Sequence, residues 1–218
     1  MKLFLDTANL DEIREISGWG VLGGITTNPT LIAKERPTDW IAHAKEICAI
    51  VPGPVSLETT TLTTKDLIEE GQELASVAPN AIVKVVMTPE GLGAVRALTD
   101  DGVKVNVTLV FSPAQAILAA EAGAYIVSPF LGRVDDISSD GIALLAEICT
   151  IYDAQGYETQ VLAASLRHPM HVLAAAKLGA EIASMPHKVF KQLVKHPLTD
   201  AGIKSFTEDW EALQKESK

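Results

Sequence analysis

Lys84 lies in Ile82-Val83-Lys84-Val85-Val86, flanked on both sides by β-branched apolar residues. In the middle of a covered strand such an amine loses solvation, and burial favours its neutral form. A neutral amine is the nucleophile that forms a Schiff base with a carbonyl. The competing reading is a strand-edge lysine whose tip snorkels to water. Glu58, in Val55-Ser56-Leu57-Glu58-Thr59, is also mid-strand, and a buried carboxylate needs a partner. It either forms a structural ion pair with Lys84 or, with Thr108, holds a water and moves protons. Asp6 closes Lys2-Leu3-Phe4-Leu5-Asp6 just before Thr7-Ala8-Asn9, so it caps a helix or faces the chemistry. Arg133 and Arg167 follow strands in loops, where each makes bidentate contacts to a phosphate or a surface salt bridge.

Something must bring these groups together. Strand candidates at 2–6, 24–27, 55–59, 81–87, 103–109, 125–129, 158–163 and 181–184 alternate with helical patterns such as 64–77, 90–101, 112–122, 140–155, 169–178 and 188–195. Thr88-Pro89 and Ser112-Pro113 open helices with a hydroxyl cap and a first-turn proline. Gly102, Gly123, Gly156 and Gly179 stand where left-handed caps close helices. Strands apolar on both faces imply a parallel sheet covered by helices. Eight βα units predict an α/β fold of the (β/α)8 TIM-barrel type, ahead of an open doubly wound sheet. No linker or composition shift divides the chain, so one barrel domain is expected over 1–218, with 198–218 as a C-terminal helical extension.

Such a barrel carries its catalytic groups at the C-terminal ends of its strands. At those ends the sequence places Asp6, Thr26-Thr27-Asn28-Pro29, Glu58 and Lys84. It adds Asn106 and Thr108 on one face, Ser128-Pro129-Phe130 leading to Arg133, and Ala164-Ser165-Leu166-Arg167. Lys104 begins its strand, at the opposite end of the barrel, and reads as structural.

The 218 residues carry 18 basic and 28 acidic side chains, a net charge of −10 without a Lys/Arg run. That balance argues against nucleic acid or an anionic membrane as partner, but a few local arginines still hold an anionic substrate. No apolar stretch is long enough to span a membrane, and Asp6 interrupts any signal-peptide pattern. Cys48 and Cys149 sit in apolar helical contexts without a CxxC, as buried thiols of a reducing, cytoplasmic protein. His168-x-x-His171 lacks a third metal ligand nearby, so no metal is expected; Asp135-Asp136 reads as a solvated loop, and His187 as the start of a helix.

Together these residues resemble the transaldolase family, in particular its short subfamily that includes fructose-6-phosphate aldolases. The likeness rests on Leu3-Phe4-Leu5-Asp6-Thr7-Ala8, Gly24-Ile25-Thr26-Thr27-Asn28-Pro29-Thr30 and Val83-Lys84-Val85-Val86-Met87-Thr88-Pro89-Glu90-Gly91. It continues through Val105-Asn106-Val107-Thr108-Leu109-Val110-Phe111-Ser112, Ser128-Pro129-Phe130-Leu131-Gly132-Arg133 and Ala163-Ala164-Ser165-Leu166-Arg167. Val86 departs from the proline expected in the lysine strand, without removing a functional group.

The resemblance implies a metal-free and cofactor-free Schiff-base mechanism on sugar phosphates. Lys84 is then the nucleophile at C2 of a ketose phosphate and Asp6 the general acid/base at its C4 hydroxyl. Glu58 and Thr108 shuttle protons through a water. Thr26, Asn28, Asn106, Ser128 and Phe130 line the sugar, and Arg133, Ser165 and Arg167 hold the phosphate. Members that release free dihydroxyacetone tend to carry Gln in place of Glu58 and Tyr in place of Phe130, so both positions favour transaldolase over aldolase. A catalytically silent sugar-phosphate binder is the alternative outside enzymes. Deoxyribose-phosphate aldolase is a second enzymatic rival, but it uses a second lysine near the first, and no second lysine stands at a strand C-terminal end here. The resemblance further implies a homo-oligomer, a pentamer or decamer, with Phe206 and Trp210 reaching onto a neighbour.

Overall fold

Alternation along each strand decides what the barrel encloses. Inward positions read Phe4 then Asp6, Ile82 then Lys84, Ile126 then Ser128, Leu162 then Ala164, and Ile182 then Ser184. The first member of each pair is apolar, and these side chains pack together as a cluster inside the barrel. The second member lies one pleat nearer the strand's C-terminal end. The lower half of the barrel is therefore a plug and the upper half a polar cup. Gly24 belongs to the same layer as Phe4, and a Cβ there would collide with the Phe4 ring.

The computed structural model describes residues 1–216. Eight strands, β1 (Lys2–Asp6), β2 (Leu22–Thr26), β3 (Val55–Glu58), β4 (Ala81–Val86), β5 (Val105–Val110), β6 (Ile126–Pro129), β7 (Gln160–Ala163) and β8 (Ile182–Met185), form a closed barrel in chain order. Every neighbouring pair is parallel, and β8 returns to β1. The expected (β/α)8 TIM barrel with a C-terminal helix is what the chain forms.

The outer layer contains α1 (Leu10–Ser17), α2 (Pro29–Glu35), α3 (Trp40–Ile50), α4 (Thr64–Ala75), α5 (Pro89–Asp100), α6 (Pro113–Glu121), α7 (Leu131–Asp135), α8 (Gly141–Gln155), α9 (Pro169–Lys177) and α10 (His187–Gln192). Caps start them as the residue types dictate: Asn9, Asp39, Thr63, Thr88, Ser112 and Asp140 each accept from a backbone N–H of the first turn. Asn9 performs that task for α1, which leaves Asp6 to the barrel mouth. The main core lies between these helices and the outward faces of the strands. Lys104 lies at the bottom of the barrel, its ammonium 4.8 Å from the Tyr125 ring centroid.

Two short helices are additions to the sequence reading. α2 has no buried residue, and its only strong local signals are the Asn28 cap and Pro29. α7 follows β6 without a side-chain cap, so Arg133 stands on a helix where a loop was expected. Its placement comes from the loop after β7, since the Leu131 and Gly132 N–H groups donate to the Ala164 and Ser165 carbonyls, each at 3.1 Å.

The chain ends in α11 (Pro197–Glu216), against an expected helix over 198–218; residues 217 and 218 lie outside the described residues. Ile203, Phe206 and Trp210 repeat at helical spacing, and Phe206 and Trp210 remain 76% and 61% exposed. No helix among the described residues is long and apolar enough to cross a membrane.

Candidate active site

Strand register brings the ionisable groups together. Glu58 of β3 pairs with Lys84 of β4, and Lys84 pairs with Asn106 of β5. On the neighbouring pair, Asp6 of β1 pairs with Thr26 of β2. Side chains at paired positions of parallel strands face the same side of the sheet, here the inside of the barrel.

Lys84 is 4% exposed, and its Nζ stands 2.9 Å from Glu58 Oε2. The same Nζ donates to the Thr27 carbonyl at 3.0 Å, so the amine is fixed between a carbonyl just beyond β2 and a carboxylate. Asp6 Oδ1 accepts from Thr26 Oγ1 at 2.7 Å, and that hydroxyl is in turn 2.7 Å from Ser184 Oγ. Burial lifts the Asp6 carboxyl above its ordinary 3.8, against the opposing pull of the Thr26 hydrogen bond and of the Lys84 and Lys34 charges. A carboxyl moved toward neutrality in this way suits proton transfer.

Beside the amine, Ser128 Oγ donates to Asn106 Oδ1 at 2.7 Å, and Asn106 Nδ2 donates to Ser56 Oγ at 3.2 Å. Asn106 is thereby held with a fixed amide orientation. Thr108 is fully buried, and its Oγ1 has no hydrogen-bond partner among the described residues. Asn28 Oδ1 caps α2 through the Leu31 N–H at 2.9 Å.

Above this floor opens a cavity of about 660 Å³. Of the residues expected at the site, Asp6, Thr26, Asn28, Glu58, Lys84, Ser128, Phe130, Arg133, Ser165 and Arg167 line it. Asn106, paired with Lys84, and Thr108, one pleat nearer the C-terminal end of β5, lie in the barrel wall beside it. The far end is cationic. The Arg133 guanidinium carbon is 5.3 Å from the Phe130 ring centroid, and Phe130 leans on Phe111 at 5.8 Å between centroids. Arg167 Nη2 pairs with Asp136 Oδ2 at 2.7 Å, with both side chains about half exposed. The Asp135-Asp136 pair is thus no free loop: Asp135 ends α7 and accepts from Gly141 N–H at 2.9 Å, and Asp136 neutralises Arg167. Gly132 permits this arrangement, since a Cβ there would stand 2.5 Å from Arg167 Nε.

Two residues of the mouth hold left-handed backbone without being glycine: Leu109 at φ 59° and Ser165 at φ 58°. Leu109 sits where β5 carries one residue more than β6 between the Val107 and Val110 pairings, a bulge that turns it into the cavity. Conformations of this kind cost about 1–3 kcal/mol each and persist where surrounding contacts impose them. Ser184, Ser56, Lys34 and the Thr27 carbonyl also belong to the site and were not among the expected residues. A polar residue at an inward strand position was the available signal for both serines.

The barrel, the buried lysine–carboxylate pair and the cationic far end together define a candidate active site inside the mouth of an eight-stranded barrel. The chain belongs to the transaldolase/fructose-6-phosphate aldolase family, whose sequence model matches residues 3–217. It is similar to a protein named probable transaldolase from Thermus thermophilus, 56% identical over 98% of this chain and all of the relative. Probable transaldolases of Aquifex aeolicus and Syntrophobacter fumaroxidans are 56% and 52% identical, covering 97% and 99% of both chains. The protein is accordingly an enzyme of the aldolase or aldehyde/ketone-transferase kind.

Proposed function

We propose that this enzyme is a transaldolase. It moves a dihydroxyacetone unit from a ketose phosphate, sedoheptulose 7-phosphate or fructose 6-phosphate, to an aldose phosphate, glyceraldehyde 3-phosphate or erythrose 4-phosphate, in the non-oxidative pentose phosphate pathway. The observation that carries this reading is the Lys84 amine, buried at the cavity floor 2.9 Å from Glu58 with Asp6 on the same rim.

In this mechanism Lys84 Nζ attacks the C2 carbonyl, and loss of water gives an iminium ion. Asp6 takes the proton of the C4 hydroxyl as the C3–C4 bond breaks, its electron pair passing into the iminium to give an enamine. The aldose phosphate leaves. The enamine then attacks the acceptor aldehyde, Asp6 returns the proton, and water releases the new ketose. Glu58 and Thr108 move protons through a water as the carbinolamine forms and collapses. Asn28, Asn106 and Ser128 hold the dihydroxyacetone hydroxyls; Arg133, Ser165 and Arg167 take the phosphate.

Phe130 supports transfer over release of free dihydroxyacetone: it has no hydroxyl to protonate the enamine, and it packs on Arg133 and Phe111. The test is glyceraldehyde 3-phosphate release from fructose 6-phosphate in metal chelator, with and without erythrose 4-phosphate. Release that depends on the acceptor is expected. Comparable release without it makes the enzyme an aldolase and overturns the weight given to Glu58 and Phe130.

Thr108→Val isolates the proton relay. Valine matches threonine in shape, and Thr108 Oγ1 has no protein partner to lose among the described residues, so stability is expected to stay within about 1 kcal/mol. Turnover is expected to fall about 100-fold. Calorimetry and steady-state kinetics on one preparation decide it, and unchanged turnover removes Thr108 from the mechanism.

Cytoplasmic residence accords with two free thiols, which burial pushes up to about 11. Assembly into a pentamer or decamer through α11 is part of the same proposal. The exposed Phe206 and Trp210 would be covered by a neighbouring copy. Phe206→Glu/Trp210→Glu is expected to give a monomer by light scattering, and a monomeric parent would sink the assembly.

A further inference from the structure

We propose that His171 is a positioning residue for the phosphate end of the site, holding the backbone of Arg167 through one ring nitrogen and helix α7 through the other. This rests on the reading of Arg167 as a phosphate ligand. His171 opens no contact to the cavity and belongs to α9, whose first turn lies behind the loop after β7. Its Nδ1 accepts from the Arg167 backbone N–H at 3.3 Å, and its Nε2 stands 3.1 Å from Asp135 Oδ2 on α7. A backbone N–H only donates, so Nδ1 carries the lone pair and Nε2 the proton that goes to Asp135.

The imidazole is therefore a neutral bridge between the two segments that supply the arginines: α7 bears Arg133, and the loop bears Ser165 and Arg167. Both segments need such a tie. The loop runs through Ser165 in left-handed backbone at φ 58°, and α7 has no capping side chain of its own. Asp135, at the other end of the bridge, also accepts from Gly141 N–H, which anchors it to the start of α8. His168 packs against the ring, with 3.9 Å between centroids and the planes tilted by 45°. Burial, His168 and the Arg167 charge hold the imidazole below its ordinary 6.5 despite Asp135, which keeps the acceptor nitrogen free at neutral pH.

His171→Asn and His171→Gln separate the two halves of the bridge. Asparagine places an acceptor oxygen where Nδ1 lies; glutamine places an amide where Nε2 lies and leaves the Arg167 N–H unpaired. The probes are fructose 6-phosphate turnover, and sulfate as a competitive inhibitor, which remains a dianion at every pH used. His171→Gln is expected to raise both KM and the sulfate inhibition constant about tenfold with kcat within twofold. His171→Asn, which keeps the Arg167 contact and gives up the Asp135 contact, is expected to raise both constants by a smaller factor, about threefold, with kcat within twofold. A variant of either kind that matches the parent in KM and sulfate inhibition, or a loss carried by kcat, overturns the proposal. Arg167→Ala is the reference: if it leaves KM and sulfate inhibition unchanged, the phosphate reading itself fails. If it weakens both while His171→Gln does not, only the role of His171 falls.

Discussion

Lys84→Met is expected to lower turnover at least about 10⁴-fold and to abolish the covalent adduct that borohydride traps in the presence of fructose 6-phosphate. Mass spectrometry of the reduced parent should place a reduced dihydroxyacetone on the peptide containing Lys84. The same change has a second consequence, which concerns folding. Glu58 has 12% of its side chain exposed and the Lys84 ammonium at 2.9 Å as its counter-charge, and the Thr27 carbonyl takes a second proton of that amine. Methionine fills most of the space of lysine but removes both contacts. A buried carboxylate left without its partner costs about 3–5 kcal/mol, whereas a pair removed together costs far less. Lys84→Met alone is therefore expected to melt well below Lys84→Met/Glu58→Gln, and both are expected to be inactive. A single variant as stable as the double would mean that the pair contributes little to folding. Adduct formation on Lys84→Met would move the nucleophile elsewhere, and a parent that binds ketose phosphate without turning it over would revive the silent-binder reading.

The legible part of this site is the part governed by alternation. A polar residue in an apolar strand, such as Lys84 between Val83 and Val85, has only the barrel interior to point into once the outer face is packed against helices. Glu58, Asn106 and Ser128 follow by the same count of two, and the parallel register then sets Glu58 and Asn106 on either side of Lys84. What sequence could not supply depends on contacts between distant segments. α7 is recruited by the Ala164 and Ser165 carbonyls of the next strand's loop, so nothing in Leu131-Gly132-Arg133 announces a helix. The left-handed backbone of Leu109 and Ser165 has no residue-type signal, because side chains other than glycine are forced into it by their surroundings. Asp135 and Asp136 resemble a solvated pair until folding brings His171 and Arg167 beside them. Asp6, at a strand end before a helix, was ambiguous for the opposite reason: two local roles were open, and the choice fell to Asn9, whose side chain already satisfies the first turn of α1.

Asp6→Asn is expected to lower turnover about 10²–10⁴-fold while making the protein more stable at neutral pH. The two effects share a cause. Burial raises the Asp6 carboxyl above its ordinary 3.8, and the pull of Thr26, Lys84 and Lys34 does not restore it. A carboxyl whose value is raised on folding favours the fold when protonated. Its contribution is complete below 3.8 and is lost as pH rises through the higher, folded-state value. At pH 7 the parent therefore carries an ionised group that the fold disfavours. Asparagine keeps the shape and still accepts from Thr26 Oγ1, without the charge. The melting difference between variant and parent is expected to be largest near pH 7 and to close as both are titrated toward pH 3. Thermal unfolding across that range measures it directly. A variant that melts below its parent at pH 7 would mean that the Lys84 and Lys34 charges outweigh burial. Retained activity would show that the C4 proton goes elsewhere. Loss of turnover together with gain of stability is the signature of a carboxylate kept for proton transfer at the expense of the fold, which a structural Asp6 would not give.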